Sequence, residues 1–176
     1  MPRNRRPRDR EEKRQEIIDA ATALFTELGF EQTSMARIAK AAGVTPTTIY
    51  WYVADKDALL VAVLDHLLAD ALQQFAEEAH DSLVDQVLWA LDRLQRHRNL
   101  VNVVHTRSES SAAVAEWHHG FHALVDAIVI DNLGAQGVAD QDSRTIAQLT
   151  TFAVEGLLAH PRDPATARAI LERALG

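Results

Sequence analysis

Two histidines in the second half of this chain are spaced so that they could bind one metal ion. His118 and His122 lie four residues apart, which puts both imidazoles on one face of a helix. Imidazole nitrogens bind divalent transition metals, so a regulatory metal site at this pair is one hypothesis. This metal-site hypothesis is not the one that the sequence favours. We predict neither a cofactor nor a metal ion from the sequence.

Two Glu-x-x-His pairs raise the question of catalysis. Glu77 with His80, and Glu116 with His119, have the spacing of ligand pairs in di-iron carboxylate bundles. Glu and His are frequent enough in this chain for such a pair to arise by chance, and the further paired glutamates of a di-iron site are not evident. The chain has no cysteine, which excludes thiolate zinc sites and cysteine nucleophiles. The sequence therefore predicts that the protein is not an enzyme.

A third group of side chains is suited to nucleic acid. It lies at the start of a short predicted helix and consists of Thr45, Thr47, Thr48, Tyr50 and Trp51. Hydroxyls there can bond to base edges or phosphates, and the backbone N–H groups of a helix N-terminus favour an anionic phosphate. Lys56 is placed a few residues further on to hold a second phosphate.

Two helices must precede these side chains. The apolar spacing predicts a first helix over about 10–28 that ends at Gly29. A second, short helix follows Thr33, whose hydroxyl is expected to cap it, and Gly43 permits the tight turn at its end. The residues spaced to pack this helix against the next are Ile38, Ala39, Val44 and Ile49.

The third helix completes a helix-turn-helix. Thr45 followed by Pro46 is a strong start signal, and the helix is predicted to run to about Val53. In a motif of this kind the second of the two short helices enters the major groove of DNA.

The rest of the chain is predicted to be helical as well. Asp55 caps a long fourth helix that is apolar on one side. The chain has only 7 Gly and 5 Pro, most of them between apolar-periodic segments, which is typical of an all-helical protein with short connections. The further predicted helices lie at about 81–97, 99–107, 111–131, 141–159 and 164–175.

The charge is distributed unevenly. The formal net charge is −7, yet residues 1–14 carry seven basic and three acidic residues, whereas residues 61–176 carry eight basic and sixteen acidic ones. We predict a disordered basic arm over 1–9, because prolines among arginines bury nothing. A basic arm on an acidic body indicates that only one end of the molecule meets phosphate, although a solvated tail is an open alternative.

The motifs of the N-terminal third form one ordered set. In chain order they are Arg14, Ile17, Ala21, Leu24 and Phe25, then Gly29-Phe30, Thr33-Ser34-Met35, Ile38-Ala39, Ala42-Gly43-Val44, Thr48-Ile49-Tyr50-Trp51-Tyr52 and Lys56-Asp57-Ala58-Leu59-Leu60. This set resembles the N-terminal signature of the TetR family of bacterial transcriptional regulators. The resemblance implies a three-helix DNA-binding domain, a helical C-terminal domain around a small-molecule pocket, and homodimerisation. It does not extend in detail beyond residue 80.

The resemblance also implies which residues contact DNA. Thr48 is included because it lies at the start of the third helix with the other hydroxyls. The predicted DNA-binding residues are Thr33, Arg37, Thr45, Thr47, Thr48, Tyr50, Trp51, Tyr52 and Lys56. Packing against the fourth helix is an equal alternative for Tyr52, and Arg37 could be a solvated surface residue. The predicted fold is all-α, with an arm over 1–9, a helix-turn-helix domain over 10–54 and a ligand-binding and dimerisation domain over 55–176.

Two hypotheses concern the C-terminal domain. Large apolar groups interleaved with polar ones suggest a ligand pocket, because pockets are mostly apolar with a few orienting polar groups. The predicted pocket residues are Trp89, Leu100, Val104, Trp117, Phe121 and His122, although ordinary core packing is an alternative for each of them. An apolar stripe on the last two helices predicts a dimer interface formed by Leu149, Ala153, Val154, Leu157 and Ile170.

The sequence thus predicts a TetR-like regulator, expected to be a repressor, that binds a palindromic operator as a homodimer and is released by a small-molecule ligand. The first 14 residues lack the apolar segment of a signal peptide, and no apolar run approaches the length of a membrane span. A soluble, cytoplasmic protein without a membrane partner is therefore expected. An architectural DNA-binding protein without a ligand is the alternative.

Overall fold

The structure, a computed structural model, describes residues 7–176, with side chains from Arg10 onward. Within this range the chain forms nine α-helices and no strand, and it is 79% helical, which confirms the all-α prediction. The helices are α1 (Pro7–Glu27), α2 (Met35–Ala41), α3 (Pro46–Ile49), α4 (Lys56–Glu77), α5 (Leu83–Arg96), α6 (Arg98–Ser108), α7 (Ala112–Ala135), α8 (Asp140–Ala159) and α9 (Pro164–Leu175).

The ends of the helices agree with their local signals in most places. Gly29 follows α1 with a φ of +88°, the left-handed conformation that glycine adopts at a helix C-terminus. The Asp55 carboxylate accepts the Ala58 N–H at 2.8 Å and so caps α4 as predicted. The structure extends α7 past the predicted end at residue 131, so that Gly134 lies inside the helix and the positive φ falls at Gly137.

Two helix predictions are corrected. α1 begins at Pro7, because proline is well suited to the first helical position, so the disorder predicted over 1–9 is wrong for residues 7–9. The part of that prediction that falls on residues 1–6 lies outside the described residues. α3 ends at Ile49 rather than Val53, because the Trp51 and Tyr52 N–H groups bond three residues back and tighten the chain into a turn.

The N-cap of α2 is also corrected. Ser34, not Thr33, caps this helix, and its side chain accepts the Arg37 N–H at 3.2 Å. Thr33 is fully buried, and its hydroxyl donates to the Gly29 carbonyl at 2.8 Å and lies 3.2 Å from the Leu24 carbonyl. Its hydroxyl therefore satisfies the end of α1 instead of the start of α2.

Contacts divide the chain into two compact units. The first runs to Gln73 and includes Asn102–Glu116, while the second comprises Gln74–Val101 and Trp117–Gly176. In the first unit the buried side chains of α1 to α4 form one apolar core, whose fully buried large members are Ile17, Phe25, Ile38, Ile49, Leu59, Leu60 and Val63. The predicted functional division at residue 54 is a different one and stays a prediction.

The second unit has its own core, built by α5, α7, α8 and α9. Its members on α5 and α9 recur every four residues, which places them on one face of each helix. The buried residues of this core are Leu83, Val87, Leu91, Val129, Leu133, Ala147, Leu157, Leu158, Ala167, Leu171 and Leu175. The Arg168 guanidinium of α9 donates to the Asp85 carboxylate of α5 beside it.

By length and composition alone, α4 is the one helix among the described residues that could cross a membrane. The expectation that no apolar run approaches such a length is therefore wrong by that test. The first turns of α4 pack within the first unit, where Leu59, Leu60 and Val63 are fully buried, whereas Leu72 further along is 41% exposed. Core packing therefore accounts for the apolar character of the first turns of α4.

Replacing Thr33 with valine should destabilise the first unit. The substitution keeps the shape but removes the hydroxyl donor of the Gly29 carbonyl, while the Leu24 carbonyl keeps the Leu28 N–H at 2.9 Å, so we expect a loss of about 1–2 kcal/mol in the free energy of unfolding. Urea denaturation followed by circular dichroism measures it. Thr26→Val, at an exposed position of α1, is the control and should change stability by less than about 0.5 kcal/mol. Equal effects of the two substitutions would contradict the buried role.

Candidate nucleic-acid interface

The interface is built on two short helices that pack through small apolar side chains. Ile38 and Ala39 of α2 and Ile49 of α3 are fully buried. Between the helices Gly43 has a φ of +65°, which an L side chain adopts only with strain. The Thr45 hydroxyl then accepts the Thr48 N–H at 3.1 Å and caps α3, as predicted. The observed arrangement is a helix-turn-helix.

Two large side chains of the helix-turn-helix are exposed to solvent. Trp51 is 72% exposed and Tyr50 is 52% exposed, and Thr47 is exposed beside them. Ile49 and Val53 take the inward positions of the same segment, which leaves Tyr50 and Trp51 on the outer side. An exposed pair of aromatic residues on a short helical turn is a surface suited to a partner.

The first helix contributes a positive charge to this surface. The Arg10 guanidinium of α1 donates to the Trp51 carbonyl at 3.4 Å. This contact brings the basic start of α1 next to the turn that follows α3, within the same unit. Phosphate-binding surfaces combine such cations with hydroxyl and backbone N–H donors.

Other predicted contact residues are less accessible. Thr48 is half-buried, and its hydroxyl lies 2.8 Å from that of Thr45. Tyr52 is also half-buried, whereas Arg37 is exposed and donates to the Gln32 carbonyl at 3.4 Å. Thr33 is fully buried with its hydroxyl used inside the unit, so its assignment as a DNA contact is withdrawn.

Lys56 stands at the first position of α4 and rests on an aromatic ring. Its ammonium lies 4.0 Å from the centre of the Phe30 ring. Desolvation by burial lowers the pKa of Lys56, and the nearby Arg107 charge acts in the same direction. The ring attracts the cation and fixes where its charge is presented.

An ion pair that the sequence analysis missed lies beside Lys56. Arg107 of α6 donates through Nε to the Asp57 carboxylate at 3.1 Å and makes a second bond through Nη2. Hydrogen bonding to Asp57 raises the pKa of Arg107 above its usual range. The pair connects the end of α6 to the first turn of α4, fifty residues earlier in the chain. Without the fold, no local sequence signal joins the two residues.

The residues that build this interface match a known family. The family model for bacterial regulatory proteins, tetR family, covers residues 17–63, from α1 into α4. The HTH-type transcriptional regulator AcrR of Shigella flexneri is 51% identical to this chain over 49 residues, which are 28% of this chain and 23% of AcrR. Over residues 17–63 the chain matches the TetR family.

Longer matches are more distant in sequence. The HTH-type transcriptional regulator YvdT of Bacillus subtilis is 25% identical over 120 residues, 63% of this chain and 60% of YvdT. The matches to AcrR and YvdT thus span less than two thirds of either relative. Among solved structures, Salmonella enterica GusR shares 26% identity and a TM-score of 0.69 over 93% of this chain and 92% of GusR. The N-terminal helix-turn-helix followed by a helical C-terminal domain is the architecture predicted from the sequence.

The predicted ligand-binding residues fall into different groups. Trp89 lies edge-on to Phe75 at 5.3 Å and donates through its indole to Glu78 at 2.8 Å. Trp117 instead stacks on Phe121 with ring centres 5.5 Å apart. The remaining predicted residues are Leu100 and Val104, both buried on α6, and His122, half-buried on α7. A ligand-binding role for these residues stays a prediction.

The predicted dimer residues divide between surface and core. Leu149 is 50% exposed and Ile170 is 37% exposed, while Ala153 and Val154 are partly buried against the core of the second unit. Leu157 is 3% exposed and belongs to that core, so its assignment to the interface is wrong.

The structure also exposes an apolar residue that the sequence analysis did not select. Phe152 is 68% exposed on α8 and lies three residues after Leu149, on the same side of the helix. The helical spacing from Leu149 could have indicated it. These two residues form an outward apolar pair on α8.

The Arg107–Asp57 pair should stabilise the first unit through a measurable coupling. A double-mutant cycle with Asp57→Asn and Arg107→Gln, followed by urea denaturation, is expected to give a coupling of about 1 kcal/mol, because the pair is bidentate and partly shielded. The exposed pair Asp92–Arg96 is the matched control and should give about 0.3–0.5 kcal/mol. Equal couplings for the two pairs would show that the contact does not join α6 to α4 energetically.

Proposed function

We propose that this TetR-family regulator is a cytoplasmic homodimeric repressor that binds a palindromic operator and is released by a small-molecule ligand. The observation that carries the DNA-binding part is the exposure of Tyr50 and Trp51, 52% and 72%, on a segment whose inward side is buried. An aromatic pair left in water on a helix-turn-helix is costly unless it meets a partner, and the partner of this motif is the major groove.

We propose that the outer side of the α3 segment contacts the base edges of DNA. Thr47 is exposed, and Tyr50 and Trp51 project beside it. A hydroxyl and a phenol can bond to base edges, while aromatic rings make apolar contact with thymine methyl groups. We assign sequence preference to these three residues.

We propose that basic side chains around that segment bind the DNA phosphates. Lys56 is held over Phe30 at the start of α4, and Arg10 donates to the Trp51 carbonyl in the turn after α3. Neutralising phosphates releases counterions, so these contacts would make binding depend on salt but not on sequence. Arg37 is exposed on α2 and is proposed as a further contact of this kind.

Dimerisation is proposed through α8, with α9 beside it. Leu149 and Phe152 are an exposed apolar pair, and Ile170 on α9 is partly exposed. A TetR-family helix-turn-helix reads two half-sites, so a two-fold dimer is the assembly that matches a palindromic operator.

Release by a ligand requires different affinities for the two states of the dimer. We propose that α4 transmits the conformational change. This helix begins at Lys56 and continues to Glu77, beyond the first unit. Within the first unit Arg107 of α6 holds the Asp57 carboxylate, so a shift of α6 would move the start of α4. A ligand bound among the apolar groups of the C-terminal domain would act through these helices.

The deciding experiment is selection of bound DNA from a random duplex pool by the purified full-length protein. A palindromic consensus that footprints as two half-sites supports the proposal. Binding without any enrichment would instead indicate an architectural DNA-binding protein. Screening compounds for release of the selected operator then tests the ligand-responsive part, and no release by a broad metabolite panel would contradict it.

Lys56→Met should weaken binding to every duplex without changing preference among them. Methionine keeps apolar contact with the Phe30 ring but removes the charge, so we expect roughly tenfold weaker binding and a salt slope reduced by about one. Fluorescence anisotropy at several salt concentrations measures both quantities. Arg162→Met, an exposed charge loss in the second unit, is the control. An unchanged salt slope would contradict a phosphate contact at Lys56.

Phe152→Glu should convert the dimer into a monomer at micromolar concentration, because the substitution would bury a carboxylate in the proposed interface. Sedimentation velocity reports the mass, and operator affinity should fall along with it. Leu72→Glu, which places the same charge at a 41% exposed position of α4, is the control and should remain dimeric. A Phe152→Glu dimer of undiminished stability would place the interface elsewhere.

A further inference from the structure

Three ligand atoms suited to a transition metal meet between α7 and α8 of the second unit. The Nε2 atoms of His118 and His122 lie 2.9 Å apart, and His122 Nε2 lies 3.5 Å from Glu155 Oε1. A ring nitrogen of His118 and a carboxylate oxygen of Glu155 also lie within 4.8 Å of one another. Two imidazoles on one helix and a carboxylate on the neighbouring helix therefore lie within 4.8 Å of one another, pair by pair.

The register of the two helices fixes this convergence. One turn further along, the Thr151 hydroxyl of α8 donates to the Asp126 carboxylate of α7 at 3.1 Å. Asp126 follows His122 by four residues, and Thr151 precedes Glu155 by four, so the contacts step in opposite directions along the chain. The two helices therefore run antiparallel here, and each step of four residues brings a new polar pair together.

The spacing of the donor atoms fits one small cation. Two ligand atoms at about 2.0–2.1 Å from a tetrahedral zinc ion lie roughly 3.3 Å apart. Two of the three separations, 2.9 Å and 3.5 Å, differ from this value by a few tenths of an ångström, and the third, between His118 and Glu155, is within 4.8 Å, so side-chain rotation must bring these two donors closer. In the absence of a metal ion, the two Nε2 atoms can share a single proton, with one ring donating and the other accepting.

The surroundings hold the ligands without closing the site. The His122 ring lies 5.8 Å from the Phe121 ring, and Phe121 in turn stacks on Trp117. The side chains of His122 and Glu155 remain 29% and 40% exposed. The histidine rings are inclined by 73° to each other, so that they approach through their nitrogens rather than through their faces. An ion can thus reach the three donors from solvent.

We propose that His118, His122 and Glu155 bind one divalent transition-metal ion, with Zn²⁺ the cation that two imidazoles and a carboxylate suit best. Three protein ligands leave the fourth position of a tetrahedral ion for water or for an acidic or amine-bearing small molecule. The site lies among residues proposed above to sense a ligand, but metal binding itself does not rest on that role or on operator binding.

The test is titration of the metal-free, tag-free full-length protein with ZnSO₄ by isothermal calorimetry. One Zn²⁺ per chain is expected in the wild type. His122→Ala and Glu155→Gln should each weaken binding at least about tenfold, since even the loss of an outer partner of a metal ligand costs that much. His119→Ala is the matched control, because His119 is the adjacent, exposed histidine of the same helix and should bind Zn²⁺ as the wild type does.

Cobalt provides a readout of the ligand geometry. Adding CoCl₂ should produce the visible absorption of a tetrahedral Co²⁺ centre in the wild type and in His119→Ala, and little or none in His122→Ala. Far-UV circular dichroism of each variant, and a thermal midpoint that rises with Zn²⁺ only where the site is intact, separate loss of the site from loss of the fold.

Two results would overturn the proposal. Absence of saturable Zn²⁺ binding at concentrations up to about 100 μM would leave the histidine pair as a hydrogen-bonded contact and nothing more. Binding of equal affinity in the wild type, His122→Ala and Glu155→Gln would place the ion at other residues. Because no DNA is present in these titrations, either result is independent of whether the operator-binding proposal holds.

Discussion

Several elements of the first unit meet at one buried ring, that of Phe30. This residue is 3% exposed and lies in the loop between α1 and α2, where its ring packs on Phe25 at 5.1 Å. The Lys56 ammonium lies 4.0 Å from the ring centre, and the Arg107 guanidinium lies 5.8 Å from it. An aromatic face attracts cations while its body fills apolar space, so one side chain anchors α1, α4 and α6 at once.

This arrangement matters because the helix proposed to read DNA cannot hold its own position. α3 has four residues, too few for a helix that is stable alone. Its position comes from the buried Ile49, the Thr45 cap and the turn at Gly43, which all depend on α2 and on the core beneath it. The exposed Trp51 contributes little to the fold, which is consistent with a side chain retained for a partner.

The second unit combines an apolar core with a polar seam between α7 and α8. Leucines and small residues of α5, α8 and α9 fill the core, while Thr151–Asp126 and Glu155–His122 pair along the seam. Polar groups at such a helix contact offer donor and acceptor atoms that apolar packing lacks.

The sequence by itself determined that the chain is helical and that its N-terminal part resembles the TetR family. Gly29, Thr45 and Asp55 marked helix ends through capping chemistry that acts over three or four residues, and the ordered motifs of 14–60 indicated the TetR family. Tertiary structure decided the rest. Thr33 and Ser34 are adjacent hydroxyls, and only the position of α1 shows that the first is buried and the second caps α2. Likewise α8 is apolar on several sides, and packing against α5 and α9 buries Leu157 while leaving Phe152 outside. The contacts of Arg107 with Asp57 and of His122 with Glu155 join residues far apart in the chain, and such contacts depend on helix register and packing, which local sequence does not encode.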